Sequence, residues 1–229
     1  MSNDTTSEEH RARRNNFDLV APIYDTLATV VFAGAIRRAQ TSLLPQLQGR
    51  QNALILGGGT GWFLLELLER TDVGKVLYVE KSGNMLDKSE QLLLAHRPDW
   101  ARRVEFRLGT EESVLPEDGP FDLLVTNFFL DLFSDANCAQ MIERLYPNLA
   151  DKGRWLFVDF HTPEAGWERL AAKSLFKVMF TFFNVTSQME SRRPPPYQTT
   201  FDRLGLRTEV EQHFYGSMIR AKLLAKSPG

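Results

Sequence analysis

Residues 53–61 read Ala-Leu-Ile-Leu-Gly-Gly-Gly-Thr-Gly, and this stretch decides the fold. Its first four residues are a short apolar run with polar neighbours before it and glycines after it, the pattern of a strand buried on both faces. Phe63 to Leu68 then opens a helix, which Thr71-Asp72 and Gly74 end. Four glycines in the five positions 57–61 therefore occupy a strand-to-helix turn. Glycine lacks a Cβ and accepts positive φ, so such a turn is sharp and admits a ligand close to its peptide groups. A bare glycine turn with no ligand is the bland alternative, and the crowding argues against it.

Outward from the turn, KVLYVE (75–80) is a second strand and Asn84 to His96 a helix. VEFRLG (104–109) and FDLLVTNFF (121–129) are strands, Ala136 to Leu149 a helix, and RWLFVDF (154–160) a fifth strand after a turn at Lys152-Gly153. Residues 207–214 and 217–226 close the chain as an antiparallel hairpin. Strands alternating with helices predict an α/β fold: a doubly wound, mostly parallel, seven-stranded sheet of Rossmann-like type. Residues 1–15 are predicted to be a disordered start and 16–229 a single domain. Within it, 16–48 form N-terminal helices and 164–200 a helical cap or insertion, broken at Arg192-Arg-Pro-Pro-Pro-Tyr197.

The formal net charge of -2 gives the molecule as a whole no pull toward nucleic acid or an anionic membrane. The single cysteine, Cys138, rules out an intrachain disulfide framework and a cysteine-based zinc site, and no metal is predicted. The first residues lack an apolar core of signal-peptide type, and no run of 18 apolar residues occurs, so the expected compartment is the cytoplasm.

Ligands of such sheets bind at the carboxyl ends of the strands, where the strand order reverses. A dinucleotide fingerprint, G-x-G-x-x-G, needs a third glycine at Trp62 or Leu64, and neither residue fits it. The crowded G-x-G-x-G suits an adenosylmethionine loop better. Glu80 ends its strand 19 positions beyond Gly61. A carboxylate there accepts hydrogen bonds from both ribose hydroxyls of an adenosine ligand, charge-assisted bonds of about 1.5–3 kcal/mol. Taken alone, it is an ordinary solvated strand-end glutamate.

APIYD (21–25), LILGGGTG (54–61), LYVEKSGNML (77–86), GTEESV (109–114), FDLLVTNFFLDLF (121–133) and LADKGRWLFVDF (149–160), in this order, resemble the class I S-adenosylmethionine-dependent methyltransferases. Among these the chain is similar to the ubiquinone/menaquinone methyltransferase-like group, over roughly Phe17 to Phe160. The resemblance implies S-adenosylmethionine as cofactor. It places Gly57, Gly59 and Gly61 against the methionine and ribose portions, with Glu80 on the ribose. Lys81 and Met85 fall near the adenine, Thr110 and Glu111 at its polar edge, and Asn127 and Phe128 at the methionine end. Tyr24 closes over the cofactor and faces its sulfonium. Two positions depart from the family pattern, Ile55 and Thr110, where acidic residues are usual. They keep open a non-catalytic cofactor-binding or scaffold protein on the same fold. A nicotinamide-dependent reductase ranks third.

Methyl transfer from a sulfonium is a direct displacement, so alignment and exclusion of water carry most of it, roughly 7–11 kcal/mol of barrier. A base is needed only where the acceptor must lose a proton. Asp131, Asp159 and His161 stand at strand carboxyl ends, and His161 leads because an unperturbed imidazole titrates near neutrality. Asp131 binds substrate or accepts its proton. Phe176, Phe180, Phe182 and Phe183 make 176–183 apolar nearly all round. Phe176 and Phe180, with Tyr197, are read as an apolar substrate wall; a dimer interface, plain core or shallow membrane contact are the alternatives. The expected partner is a small apolar or aromatic acceptor, quinone-like or lipid-linked, and not nucleic acid.

Overall fold

The computed structural model describes residues 33–161 and 194–227. The chain divides into two units, Met1–Arg38 and Ala39–Gly229. Of the first, the described residues 33–38 are helical. The predicted disordered start, Tyr24, Phe176, Phe180 and most of the predicted cap lie outside the described residues.

The second unit is built on seven strands: β1 Asn52–Leu56, β2 Lys75–Glu80, β3 Val104–Leu108, β4 Phe121–Asn127, β5 Leu149–Phe160, β6 Leu206–Phe214 and β7 Ile219–Lys226. Their order is β3-β2-β1-β4-β5-β7-β6, with β7 antiparallel to both its neighbours and the first five strands parallel. The order reverses between β1 and β4, so the switch point stands at the carboxyl ends of β1 and β4.

The helices are α1 Trp62–Arg70, α2 Gly83–His96, α3 Asp135–Leu145 and α4 Tyr197–Arg203. Alternate residues of the central strands serve opposite faces of the sheet. Leu54, Leu56, Leu77, Val79, Leu124, Trp155 and Phe157 join a core with Met141 and Ile142 of α3 and Tyr197 and Phe201 of α4. Ile55 pairs in register with Tyr78 and points with it to the other face. At the amino end, Asp122 accepts the N–H groups of Gln51 and Asn52 at 2.7 and 2.9 Å, which ties β1 to β4.

Element boundaries differ from expectation in several places. The helix predicted over Ala136 to Leu149 ends at Leu145; a 3-10 turn at Tyr146–Asn148 follows, and Leu149 already opens β5. The predicted turn at Lys152-Gly153 lies inside β5, which begins at Leu149. Leu123 pairs with Arg154 while Phe121 pairs with Leu149, so a bulge absorbs the extra residues. Gly153 is packed there so tightly that a Cβ would stand 2.6 Å from the Leu149 side chain. β4 ends at Asn127 rather than Phe129, because Phe128 adopts a left-handed φ of 52° and turns the chain out of the sheet.

Candidate active site

The turn after β1 is held open by what lies beneath it. A Cβ on Gly58 would stand 2.2 Å from the Tyr78 ring, so no other residue fits over that ring. Tyr78 is fully buried, and its hydroxyl donates to the Gly59 carbonyl at 3.0 Å. Burial raises its ionisation far above the ordinary phenol range, so it remains a donor at all relevant pH. Gly59 has φ 65°, and a Cβ on it would meet nothing within 4 Å. The loop is thus packed on one side and open on the other.

Glu80 closes this arrangement. Its Oε2 accepts the Gly59 N–H at 2.9 Å and its Oε1 the Ser82 N–H at 2.9 Å. Each oxygen keeps a free lone pair for a ligand hydroxyl. Ser82 also caps α2, its hydroxyl accepting the Met85 N–H at 3.4 Å. Met85 is half-buried in the first turn of α2, and Lys81 is exposed beside it. The Gly109 N–H donates to the Glu80 carbonyl at 3.0 Å, bringing the 109–111 turn to the same strand end. There the Thr110 hydroxyl accepts the Glu112 N–H, and Glu111 pairs with Arg144 of α3 at 3.0 Å. Both side chains thereby take part in local structure. Ile55 is core, 2% exposed.

The carboxyl ends of β4 and β5 are different in kind. Both polar atoms of the Asn127 amide are buried without a hydrogen-bond partner. The Phe128 N–H donates to the Val158 carbonyl at 2.7 Å, and its ring lies 4.7 Å from that of Phe160. Asp159 Oδ2 accepts the N–H groups of Leu130 and Asp131 at 3.1 and 3.2 Å, and Oδ1 accepts that of Phe160 at 2.8 Å. Asp159 therefore shapes the turn that carries Asp131. Asp131 is itself 4% exposed, and its Oδ1 has no partner. Burial pushes its pKa up to about 7, and burial together with the Asp131 charge holds Asp159 well above the carboxylate range. Two carboxyl groups so placed share a proton, because both cannot ionise without strong repulsion.

His161 does not keep the unperturbed imidazole assumed from the sequence. Burial, then the charges of Arg220 and Lys222, pushes its pKa down to about 4. It is neutral at pH 7 and a poor proton acceptor, with Nε2 buried and unpartnered. Tyr197 also differs from the expected substrate wall. It is 5% exposed, its ring lies 4.5 Å from Phe157, and its hydroxyl donates to the Phe160 carbonyl.

Sequence reasoning missed Tyr78, whose ring floors the glycine turn, because nothing in the sequence distinguishes it from an ordinary strand aromatic.

These residues fit an adenosylmethionine: an open glycine face, a carboxylate with lone pairs to spare, and on the neighbouring strand a buried amide with no protein partner. A family model described as a methyltransferase domain matches residues 53–153. The ubiquinone/menaquinone biosynthesis C-methyltransferase of Geotalea daltonii is 26% identical over 170 residues, covering 73% of this chain and 67% of that protein. The demethylmenaquinone methyltransferase of Lactiplantibacillus plantarum is 27% identical over 151 residues, 65% of this chain and 62% of that one. Among solved structures, the Burkholderia thailandensis 1,6-didemethyltoxoflavin-N1-methyltransferase, with 1,6-didemethyltoxoflavin and S-adenosylhomocysteine bound, aligns with a TM-score of 0.63 at 17% identity. It covers 96% of this chain and 90% of that one. The mitomycin 7-O-methyltransferase aligns with a TM-score of 0.64 at 16% identity over 84% of this chain, which spans 54% of that enzyme's length.

Proposed function

Since the chain is a class I S-adenosylmethionine-dependent methyltransferase, we propose that it methylates a small apolar or aromatic acceptor, quinone-like or lipid-linked, and that Asp131 receives the acceptor's proton. The observation that carries this reading is the Glu80 carboxylate bonded to Gly59 on the open side of the glycine turn. Bound there, S-adenosylmethionine supplies a methyl group on a positively charged sulfur. Glu80 grips the ribose hydroxyls, and the Asn127 amide takes the polar methionine end. The Phe128–Phe160 and Phe129–Phe133 ring pairs stand at the carboxyl end of β4 and favour a flat, apolar acceptor. Asp131, ionised above about pH 7 with an unpartnered Oδ1, serves as base near neutrality better than His161. The names of the curated relatives support a quinone-like acceptor.

The buried Ile55 and the locally engaged Thr110 and Glu111 favour the second reading, a cofactor binder without turnover. Incubation with S-adenosylmethionine and a panel of phenols, quinols and amino lipids separates the two. The first reading expects S-adenosylhomocysteine to form with phenols or quinols. Binding of the cofactor without product across the whole panel supports the second.

A further inference from the structure

The amino ends of β1, β5 and β6, with the carboxyl end of the antiparallel β7, border a cleft remote from the glycine turn. It has a volume of about 870 Å³ and is lined by Arg50 before β1, Asp151, Lys152 and Arg154 of β5, Arg207 of β6 and Lys226 of β7. From Arg154 to Phe160 the strand rises about 20 Å, so the cleft lies at the opposite end of the parallel strands from Glu80 and Asp131. Five cations meet here in a chain whose formal net charge is -2.

Two of them are brought together by the backbone. Arg50 Nη1 and Arg154 Nη1 both donate to the Lys152 carbonyl, at 3.2 and 3.1 Å. Their guanidinium groups are therefore neighbours, within about 6 Å of each other, and the neutral carbonyl between them answers their repulsion only in part. Arg50 Nε is also buried with no partner. The nearby carboxylates answer only part of the charge. Glu209 pairs with Arg154 and Arg207, and Asp151 reaches Lys226 at 3.5 Å from a fully solvated position. Neither Arg50 nor Lys152 has a carboxylate partner among the described residues.

We propose that this cleft is a binding site for a soluble small molecule carrying two or more adjacent phosphate groups. Planar guanidinium forks match phosphate oxygens bidentately, and Lys152 adds a mobile point charge at the rim. The cleft is a half-open hollow, a shape that takes a compact anion more readily than the plane of a lipid surface. Its position leaves the methyl-transfer site clear, so both ligands bind at once.

Titration calorimetry with inorganic pyrophosphate at low salt tests this on the whole chain. Saturable binding at one site is expected, weakening as ionic strength rises. The Arg50→Gln/Lys152→Gln double variant is expected to lose roughly tenfold or more in pyrophosphate affinity, with S-adenosylmethionine affinity unchanged. That second titration shows that the variant has folded. No saturable binding, or binding indifferent to both substitutions, overturns the proposal. So does sedimentation with phosphatidic acid vesicles in the absence of any pyrophosphate binding.

Discussion

The carboxyl ends of β1 and β2 satisfy nearly all their own polar groups, whereas those of β4 and β5 leave theirs waiting. In the first region Tyr78, Ser82 and Glu80 each hold a backbone partner, and the glycine turn is fixed before any ligand arrives. In the second, the Asn127 amide, Asp131 Oδ1 and His161 Nε2 are all buried and unpaired, and two carboxyl groups press against one another. The first region is rigid scaffolding for a donor; the second holds unsatisfied chemistry for an acceptor. Such groups are costly to folding and so point to function.

The contrast breaks most sharply at Gly58. Alanine there drives a Cβ into the buried Tyr78 ring, and overpacking of this kind costs about 1–3 kcal/mol. Loss of S-adenosylmethionine binding by up to roughly a hundredfold is expected, read by calorimetry beside a thermal melt. At the other strand ends, Asp131→Asn is expected to lower kcat about a hundredfold while leaving donor affinity in place. The pH profile reports the same residue. Wild-type turnover is expected to rise through about pH 7, and the variant to lose that limb.

Stability runs the opposite way with pH. Folded Asp131 keeps its proton to higher pH than the unfolded chain, whose aspartates titrate near 3.9, so stability falls as pH rises from about 4 to about 7. Denaturant titrations of Asp131→Asn are expected to show that slope flattened. Tyr197→Phe sharpens the comparison from the structural side. It removes the bond to the Phe160 carbonyl and should cost about 1 kcal/mol in unfolding free energy, with donor affinity unchanged. The smallest effect is expected for His161→Gln: less than threefold in kcat, with the rise near pH 7 unmoved, because a neutral imidazole is not the group that titrates there.

The donor region was legible in the sequence because its chemistry is local. A buried strand, a glycine-rich turn and a strand-end carboxylate announce themselves within the 28 residues from Ala53 to Glu80. The sheet was legible for the same reason, down to the closing hairpin. The acceptor region depends on tertiary surroundings that no residue pattern states. His161 looks like a base until burial and the charges of Arg220 and Lys222, about 60 positions away, act on it. Asp131 looks like a weak base until burial raises its pKa. Tyr197 follows three prolines and reads as a loop aromatic, yet it starts a helix and fills the core. The bulge in β5 escaped for a related cause: Lys152-Gly153 is a turn by composition, and only the pairing of Leu149 and Arg154 with β4 on either side carries the strand through it.

One titration bears most directly on the whole account: S-adenosylmethionine into the wild-type chain and into Glu80→Gln, each checked for an unchanged melting curve. Glutamine keeps the shape and removes the charge that two ribose hydroxyls would share. One-site binding by the wild type, weakened roughly tenfold to a hundredfold in the variant, is the expected result. Equal affinities in the two proteins, or no binding by the wild type, would contradict it.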